Sequence, residues 1–404
     1  MKCLEIDLRD YIPLETRIDL YNNFRINIFN KIKALQLKKK IINKLSISRQ
    51  TFEFWERGIC LPRLSYLVKI AEMINVSKEE ILINTKSFTS RFKNGSISPS
   101  SLKLYMNPKF AEWIGLIEGD GSVSKKYIEC ENTCFDLIFF FVDFLQKHFG
   151  IKKNQVKMII RVPKGKNVIE AEPIEKMLIK GGFLNIYIEK MNNGINFLLI
   201  SRIDSKVLSY VMKDIIKKTP YILKKSCNDI KAAYISGFAS AEGGIYQNKK
   251  SRFFALSQKS LGKILFIKDL LNKLGFKNIV GPYPKSGSFE ICLRKRRELE
   301  RYFNKIGFGH HKIKNKKLAR IVSGYLYAEY KPKPQRYAEI LELVKSNNFI
   351  TSSIIAEKLK IKRMHASHLL LELYRKNFLN ILDYSKPYRF SKVDKNEYKT
   401  TSKF

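Results

Sequence analysis

The chain has 404 residues, with 76 Lys+Arg and 37 Asp+Glu, which gives a formal net charge of +39. At roughly 150 residues per domain, this length predicts two or three domains. An apolar fraction of 45% with 12% aromatic residues excludes a disordered basic tail. A folded chain with so large an excess of positive charge needs a polyanionic partner, and nucleic acid is the first expectation.

A membrane surface is the alternative partner for that charge, and the sequence argues against a spanning segment. The most apolar run, 134–145, is too short to cross a bilayer and contains Asp136 and Asp143. The first ten residues are acidic and lack an apolar core, so no signal peptide is expected. Six cysteines without paired spacing are typical of a reducing compartment. We therefore expect a cytoplasmic protein that does not associate with membranes.

The first block, 20–84, is predicted to be a domain of five short helices. Ser48 is a suitable N-cap for a helix over 49–57, and Gly58 is the residue type that most often ends a helix. The sequence 45–81 resembles the helix-turn-helix domains of the phage-repressor (Cro-like) type. The resemblance implies that the start of the recognition helix enters the major groove of duplex DNA, and the candidate contacts are Arg49, Gln50 and Glu53. A small helical packing bundle is the alternative.

A polar stretch, 86–106, follows, in which Ser, Thr, Asn, Gly and Pro cluster, and it is predicted to be a linker. The middle block, 107–328, contains an approximate duplication with halves 107–218 and 228–328. Each half opens with an apolar helix, rich in small residues, that ends in an acid and a glycine: WIGLIEGDG in the first and ISGFASAEG in the second. Strand-like runs and amphipathic helices follow each motif, so the predicted order is αββαββα in both halves.

Asp120 and Glu242 end the two duplicated helices. Small residues four positions apart on one face of each helix would let the backbones approach closely; these are Gly115, Gly119, Gly237 and Ala241. If the helices pack on this face, the two carboxylates meet and raise one another's pKa unless a cation neutralises them. Mg²⁺ uses one or two carboxylates together with water and phosphate. The duplication therefore predicts a divalent-metal site for phosphodiester hydrolysis, whereas either helix end alone is more often an ordinary helix stop.

These two motifs, with the strands and helices behind each, resemble the LAGLIDADG homing endonucleases in their two-motif, single-chain form. The resemblance covers about 107–328 and implies an α+β fold. This fold is a pseudo-symmetric tandem αββαββα core with saddle-shaped antiparallel sheets that grip duplex DNA, flanked by all-α helix-turn-helix and winged-helix domains. It implies that Asp120 and Glu242 bind the divalent metal and are catalytic. Glu118 matches an earlier acidic position of the motif, where the second copy has Ser240.

The same resemblance implies a lysine near the end of the second strand of each half, where it helps to polarise the attacking water. The second half supplies Gln258 and Lys259 as candidate catalytic residues. The corresponding stretch of the first half offers Glu131 and Asn132 instead. Cleavage, or its symmetry between the two DNA strands, is therefore left open, and a phosphate contact is the alternative role for Lys259.

Further DNA contacts are predicted on the strands of the second half. Alternation in a strand aims every second side chain at one face, and Arg, Lys, Gln and Asn are the residues that read base edges in the major groove. The candidates are Gln247, Lys249, Lys250, Arg252 and Arg294. A solvated strand face is the alternative for any one of them.

A Lys-Pro-Lys-Pro stretch, 331–334, interrupts helix formation before the last block, 335–392. Three amphipathic helices and an alternating stretch at 379–390 resemble a winged-helix domain. The resemblance implies DNA contacts at the start of the third helix by Lys362 and Arg363, and a protein-contact module is the alternative.

Together these patterns predict a monomeric, site-specific DNA endonuclease of the homing type, which uses Mg²⁺ to make a double-strand break in a long duplex target. The alternative is a DNA-binding transcription regulator or an intron-splicing maturase on the same scaffold, with weak or no cleavage. In the maturase case structured intron RNA is a further partner. The sequence has no GxxxxGK[ST] loop, so it does not predict ATP hydrolysis.

Overall fold

The computed structural model describes residues 5–90, 95–247, 251–326, 333–347, 349–359, 361–383 and 388–392. The chain divides into two compact units, Met1–Leu318 and Ala319–Phe404, which are described separately. Lys249 and Lys250, two predicted DNA contacts, lie outside the described residues. Within the described part of the chain, no helix is both long enough and apolar enough to cross a membrane.

The amino-terminal part of the first unit contains the five predicted helices. Its elements are β1 (Glu5–Asp7), β2 (Arg17–Leu20), α1 (Asn22–Ala34), α2 (Lys38–Leu45), α3 (Arg49–Arg57), α4 (Leu64–Met73), α5 (Lys78–Ile83) and β3 (Thr85–Thr89). Ser48 caps α3 by accepting the backbone N–H of Thr51 at 3.0 Å, and Gly58 ends α3 with a φ of +72°. The predicted helical block is thus present, and β2 and β3, which border it on either side, pair antiparallel and bury Ile18 and Phe88.

The segment predicted to be a linker, 86–106, is packed onto the rest of the first unit where the structure describes it. Strand β4 (Lys103–Tyr105) pairs with β1, and the backbone N–H of Ser98 donates to the carbonyl of Phe149 at 2.8 Å. The Ser205 hydroxyl donates to the carbonyl of Gly95 at 2.6 Å. The prediction of a free linker is therefore wrong, because backbone hydrogen bonds hold a segment that has no hydrophobic periodicity.

The first half of the duplicated block is larger than the predicted αββαββα unit. Its elements are α6 (Pro108–Asp120), β5 (Gly121–Val123), β6 (Ile128–Asn132), α7 (Phe135–Phe149), β7 (Val156–Val162), α8 (Glu172–Lys180), β8 (Asn185–Lys190), β9 (Leu198–Ile203) and α9 (Lys206–Lys225). The strand order is β5-β6-β9-β7-β8. Strand β8 pairs parallel to β7, and α8 provides the crossover that parallel neighbours need. The expectation of a wholly antiparallel sheet is therefore wrong in this half.

The second half has the predicted order of elements. These are α10 (Asn228–Glu242), β10 (Gly243–Gln247), β11 (Arg252–Gln258), α11 (Leu261–Lys273), β12 (Ile279–Lys285), β13 (Ser288–Leu293) and α12 (Arg296–Lys305). The strands form an antiparallel sheet in the order β10-β11-β13-β12. Helix α13 (Lys312–Leu326) follows these elements at the end of the second half. The α+β class predicted from the sequence is thus confirmed.

Helices α6 and α10 pack closely through the small residues that the sequence singled out. A Cβ added to Gly115 would lie 2.1 Å from the carbonyl oxygen of Tyr234, and one added to Gly237 would lie 1.8 Å from the carbonyl oxygen of Glu112. Real Cβ atoms do not approach backbone atoms so closely. These two glycines therefore set the distance between the helices, and with it the distance between their carboxyl ends.

After the end of α13, the described residues of the second unit form three helices and a hairpin. Its elements are α14 (Lys333–Lys345), α15 (Ser352–Lys358), α16 (Arg363–Arg375), β14 (Leu379–Asp383) and β15 (Arg389–Lys392). Strands β14 and β15 pair antiparallel, as the alternation in the sequence predicted, and residues 384–387 between them lie outside the described part. A core that includes Ile340, Leu370 and Phe390 holds the helices and hairpin together. The hairpin shows that this flanking domain is not all-α.

The helix contact predicts that Gly237→Ala destabilises the protein. The new methyl group would collide with backbone of α6, and overpacking of this kind costs about 1–3 kcal/mol or more. Urea unfolding of the variant and the wild type measures the difference. Gly262→Ala is the matched control: Gly262 is exposed in the first turn of α11, where the nearest atom to the new Cβ is 3.9 Å away, and the change should be neutral or stabilising by up to about 1 kcal/mol. Equal stabilities for the two variants would contradict the account.

Candidate active site

Asp120 and Glu242 are the last residues of α6 and α10. The position of a Cβ on Gly119 lies 3.4 Å from Cγ of Glu242 and 2.3 Å from the Cβ of Ala241. The acidic ends of the two helices are therefore neighbours, although they are far apart in the sequence. This is the arrangement that the small-residue spacing predicted.

An amide side chain at the end of the second strand of each half holds each carboxylate. The Asn132 amide donates to Oδ2 of Asp120, and the Gln258 amide donates to Oε1 of Glu242 at 2.9 Å. The amide oxygen of Gln258 accepts the backbone N–H of Lys259 at 2.7 Å, and the Lys259 side chain is exposed. The structure therefore places Gln258 in contact with an acid and leaves Lys259 at the rim.

The strand register shifts the alignment of the two halves by one residue from the alignment expected from the sequence. Counted from the residue paired with the glycine after each acid, Asn132 is the counterpart of Gln258, and Thr133 is the counterpart of Lys259. The interpretation that Asn132 stands where a lysine is expected is therefore wrong. The first half still has no lysine at this position, because Thr133 occupies it.

Burial disfavours the ionised form of both acids. It raises the pKa of Asp120 to about 6, against the opposing effects of the Asn132 hydrogen bond and the charge of Lys314. The pKa of Glu242 is also raised, first by burial and then by the charge of Asp120, while the Gln258 hydrogen bond lowers it. Two neighbouring carboxylates with raised pKa values create a demand for a cation.

Lys314 of α13 is a site residue that the sequence analysis missed. Its ammonium donates to the carbonyls of Ser240 at 2.7 Å and Ala241 at 3.2 Å, in the last turn of α10. Burial lowers the pKa of Lys314 to about 8, and the charges of Asp120 and Glu242 act in the opposite direction. Nothing in the sequence indicated it, because it lies after the αββαββα elements of the second half and is one of 76 Lys and Arg residues.

The donor set suits a small divalent cation. Both acids present oxygen, and the amides of Asn132 and Gln258 each occupy only one oxygen of a carboxylate. Within the described residues, no group of three or more His, Cys, Asp and Glu side chains could hold a metal ion. Two carboxylates completed by water and phosphate oxygens are nevertheless a ligand set that Mg²⁺ uses, so Asp120 and Glu242 fit this ion.

Glu118, the earlier acidic position of the first motif, binds elements of the second half. Its carboxylate pairs with the Lys263 ammonium at 2.9 Å and is only 5% exposed, and it accepts a hydrogen bond from the Tyr234 hydroxyl. At the same position of the second motif, the Ser240 hydroxyl donates to the carbonyl of Phe308 at 2.6 Å. Both positions thus connect helices and loops of the second half.

Comparison with known proteins finds a family match within the second half. Residues 229–307 match the family described as a LAGLIDADG-like domain. The chain contains a LAGLIDADG-like domain. A curated relative, the homing endonuclease I-ApeI of Aeropyrum pernix, is 25% identical over 198 residues, which are 46% of this chain and 86% of the relative.

Two kinds of solved structure are similar to the chain. One is the homing endonuclease I-DmoI in complex with DNA and Ca, which has 16% identity, coverage of 54% of this chain and 97% of that chain, and a TM-score of 0.33. Another is full-length DUF199/WhiA from Thermatoga maritima, with 9% identity, coverage of 67% and 91%, and a TM-score of 0.32.

The sheet of the LAGLIDADG-like domain has a covered face and an open face. The covered face is marked by the buried apolar residues Phe254, Leu256 and Ile291, and the open face consists of the strand positions that alternate with them. Gln247 and Arg252 pair with each other in the register of the covered face, so the structure does not bring these two predicted contacts to the open face. Arg294 follows β13 in the open-face register and is exposed.

The open face of the first sheet carries cations that were not among the predicted contacts. Lys157 pairs with Asp204 at 2.6 Å, and Arg161 lies 3.4 Å from Glu189 and 3.6 Å from Glu131. Alternation along β7 could have indicated Lys157 and Arg161 as candidates.

The start of α3 differs from the prediction at one residue. Arg49 and Gln50 are exposed, as a recognition helix requires. Glu53 instead accepts Arg49 at 3.0 Å and Lys38 at 3.1 Å, and these hydrogen bonds, that of Arg49 first, lower its pKa. Glu53 therefore holds two cations in place. In the second unit, Lys362 and Arg363 are exposed at the start of α16.

The burial of Asp120 predicts that Asp120→Asn stabilises the metal-free protein above about pH 6. Its pKa is about 6 in the folded chain and 3.8 ordinarily, so the wild type loses stability as the pH rises through this window. The neutral amide avoids this loss, and the gain should be about 1–3 kcal/mol. Urea unfolding in EDTA at about pH 4 and pH 8 measures it.

Asp143→Asn serves as the control for charge removal, because Asp143 is exposed on α7. This variant should show the same change in unfolding free energy between about pH 4 and pH 8 as the wild type. An Asp120→Asn variant that matches the wild type at both pH values would show that the carboxylate is not destabilised by burial.

Proposed function

We propose that this protein is a site-specific DNA endonuclease of the homing type, which hydrolyses both strands of a duplex target with a divalent cation. The observation that best supports this proposal is the pair of acids, Asp120 and Glu242, at the neighbouring ends of two closely packed helices. The LAGLIDADG-like domain and the similarity to a curated homing endonuclease support the same function.

Asp120 and Glu242 would hold the cation, for which Mg²⁺ is the expected ion. When bound, such an ion favours ionisation of an attacking water and stabilises the charge on the leaving oxygen. Asn132 and Gln258 orient the two carboxylates through their amides. Lys314 supplies fixed positive charge beside Glu242, where negative charge develops during phosphodiester hydrolysis.

The basic surface of the chain would provide the grip on DNA. Each phosphate neutralised by a lysine or arginine releases counterions, so binding should weaken steeply as salt increases. The exposed side chains of Arg49, Gln50, Lys362 and Arg363 are proposed DNA contacts of the flanking helices. Because one chain supplies both acids, we expect a monomer to be sufficient for a double-strand break.

Binding without cleavage is the second candidate function, and Thr133 is the observation that favours it. The second half has Lys259 at the rim of the site, whereas the first half has Thr133 at the corresponding position. Such a chain could act as a transcription regulator or, with intron RNA, as a maturase. Lys314 supplies a cation from α13, which follows the αββαββα elements, and this favours cleavage.

The proposal predicts that the wild type linearises DNA that carries its target and that Asp120→Asn and Glu242→Gln do not. The target is first selected by binding to a random duplex library in Ca²⁺ and is then cloned into a plasmid for cleavage in Mg²⁺. Loss of a metal ligand removes several kcal/mol of charge stabilisation, so each rate should fall by about 1,000-fold or more. Asp143→Asn removes an exposed acid and should cut normally. A wild type that binds its selected site but never cuts it would establish the second function instead.

The position of Lys314 predicts a separate effect on the rate. Lys314→Met should slow single-turnover cleavage by about 100-fold, because one fixed positive charge is removed from the site, with little effect on DNA affinity. Lys316→Met removes an exposed lysine of the same helix and is the matched control. If the two variants cut at the same rate, Lys314 has only a structural role in capping α10.

A further inference from the structure

Glu290 of β13 is a buried acid on the open face of the second sheet. It pairs in register with Ser257 of β11 and Tyr283 of β12, and its sequence neighbour Ile291 is buried on the covered face. Glu290 itself is only 2% exposed. An unpaired carboxylate on a surface that faces a polyanion would be repulsive, so its environment needs explanation.

Four side chains surround this carboxylate and donate to it. The Tyr283 hydroxyl donates to Oε1 at 2.7 Å, and the Lys285 ammonium donates to Oε2 at 2.8 Å. The Ser257 hydroxyl donates to Oε2 at 3.1 Å, and the Cys292 thiol lies 3.4 Å from Oε1. Both oxygens are therefore occupied, and Glu290 has no capacity left to bind a base itself.

The network ends in two cations that are exposed to solvent. A terminal nitrogen of Arg294 approaches the Tyr283 hydroxyl at 3.5 Å, and its guanidinium lies 5.7 Å from the centre of the Phe253 ring. Lys285 is 51% exposed at its side chain and lies 6.0 Å from the Tyr246 ring. Glu290 thus fixes Lys285 directly and constrains Arg294 through Tyr283.

A fixed arginine is useful for a particular recognition. The planar guanidinium donates two parallel hydrogen bonds to O6 and N7 of guanine in the major groove, and this contact discriminates only if the side chain is held in place. An exposed arginine without such support contributes mainly to phosphate binding. A saturated polar network can hold a side chain in this way, because each donor has one available partner.

We infer that Glu290 is a positioning residue for base recognition, and that through Tyr283 it directs Arg294 to a guanine in the DNA half-site bound by the LAGLIDADG-like domain. Lys285 neutralises the carboxylate so that the face can accept DNA. This inference rests on the proposed function only in that duplex DNA is the ligand of the open face. It does not depend on cleavage.

Selection from a random duplex library, followed by sequencing, tests the inference on the full-length protein. Wild type should enrich a site with a guanine at a position that Arg294→Lys no longer selects, with a loss of preference of about 5- to 150-fold. Tyr283→Phe keeps the ring and removes the hydroxyl, and Glu290→Gln keeps the shape and removes the charge. Both should lower the preference at that same position and leave other positions unchanged.

Arg297→Gln is the matched control, because Arg297 is an exposed cation of the adjacent α12. It should lower affinity for all sequences without changing the selected site. Urea unfolding of each variant separates a loss of folding from a loss of preference. If Tyr283→Phe and Glu290→Gln are folded and select the wild-type site unchanged, Glu290 supports only the sheet and the inference is wrong.

The two proposals fail in different ways. A wild type that selects this site and never cuts it would end the endonuclease proposal and leave the role of Glu290 intact. A wild type that cuts its site, with a base preference that the Glu290→Gln and Arg294→Lys variants retain, would support the endonuclease proposal and overturn the role of Glu290. A wild type that selects no sequence at all would overturn the role of Glu290.

Discussion

The close contact between α6 and α10 is the constraint on which the rest of the structure depends. Gly115 and Gly237 have no side chains because the backbone of the other helix occupies the space. This contact joins the two halves of the duplication into one core, and it also brings Asp120 beside Glu242. Any larger side chain at the interface would separate the halves and the acids together, so the stability of the core and the geometry of the site cannot be changed independently.

The same contact has an electrostatic cost. Burial raises the pKa of both acids, and the charge of Asp120 raises that of Glu242 further. At neutral pH the folded chain without a cation therefore holds buried charges that unfolding would expose to water. Asn132 and Gln258 offset part of this cost with hydrogen bonds, and Lys314 offsets another part with its charge. Because the two acids are only partly neutralised, the site still attracts a cation. A metal ion and a phosphate would therefore bind to it strongly.

The features that could be predicted from the sequence are those encoded by nearby residues. The spacing of Gly115 and Gly119 indicated the helix contact, and Ser48 and Gly58 indicated the ends of α3. Three other features depend on contacts between distant segments: the crossover through α8 to the parallel strand β8, the packing of the segment around Ser98, and the position of Lys314. The counterpart of Lys259 was misplaced for the same reason, because only strand register establishes which residue of a shorter hairpin corresponds to it.

The positive charge of the chain supports binding to DNA, but it does not by itself distinguish one sequence from another. Phosphate contacts are the same at every step of the duplex, whereas base recognition needs side chains in fixed positions. On both open faces such positions are fixed by acids: Glu131 and Glu189 beside Arg161, and Glu290 beside Lys285 and Tyr283. In a chain with so few acids for its bases, carboxylates at these places reduce the attraction for phosphate. Their presence is therefore better explained by orientation of neighbouring donors than by affinity, and the few acids of this surface carry more information about sequence preference than its many lysines.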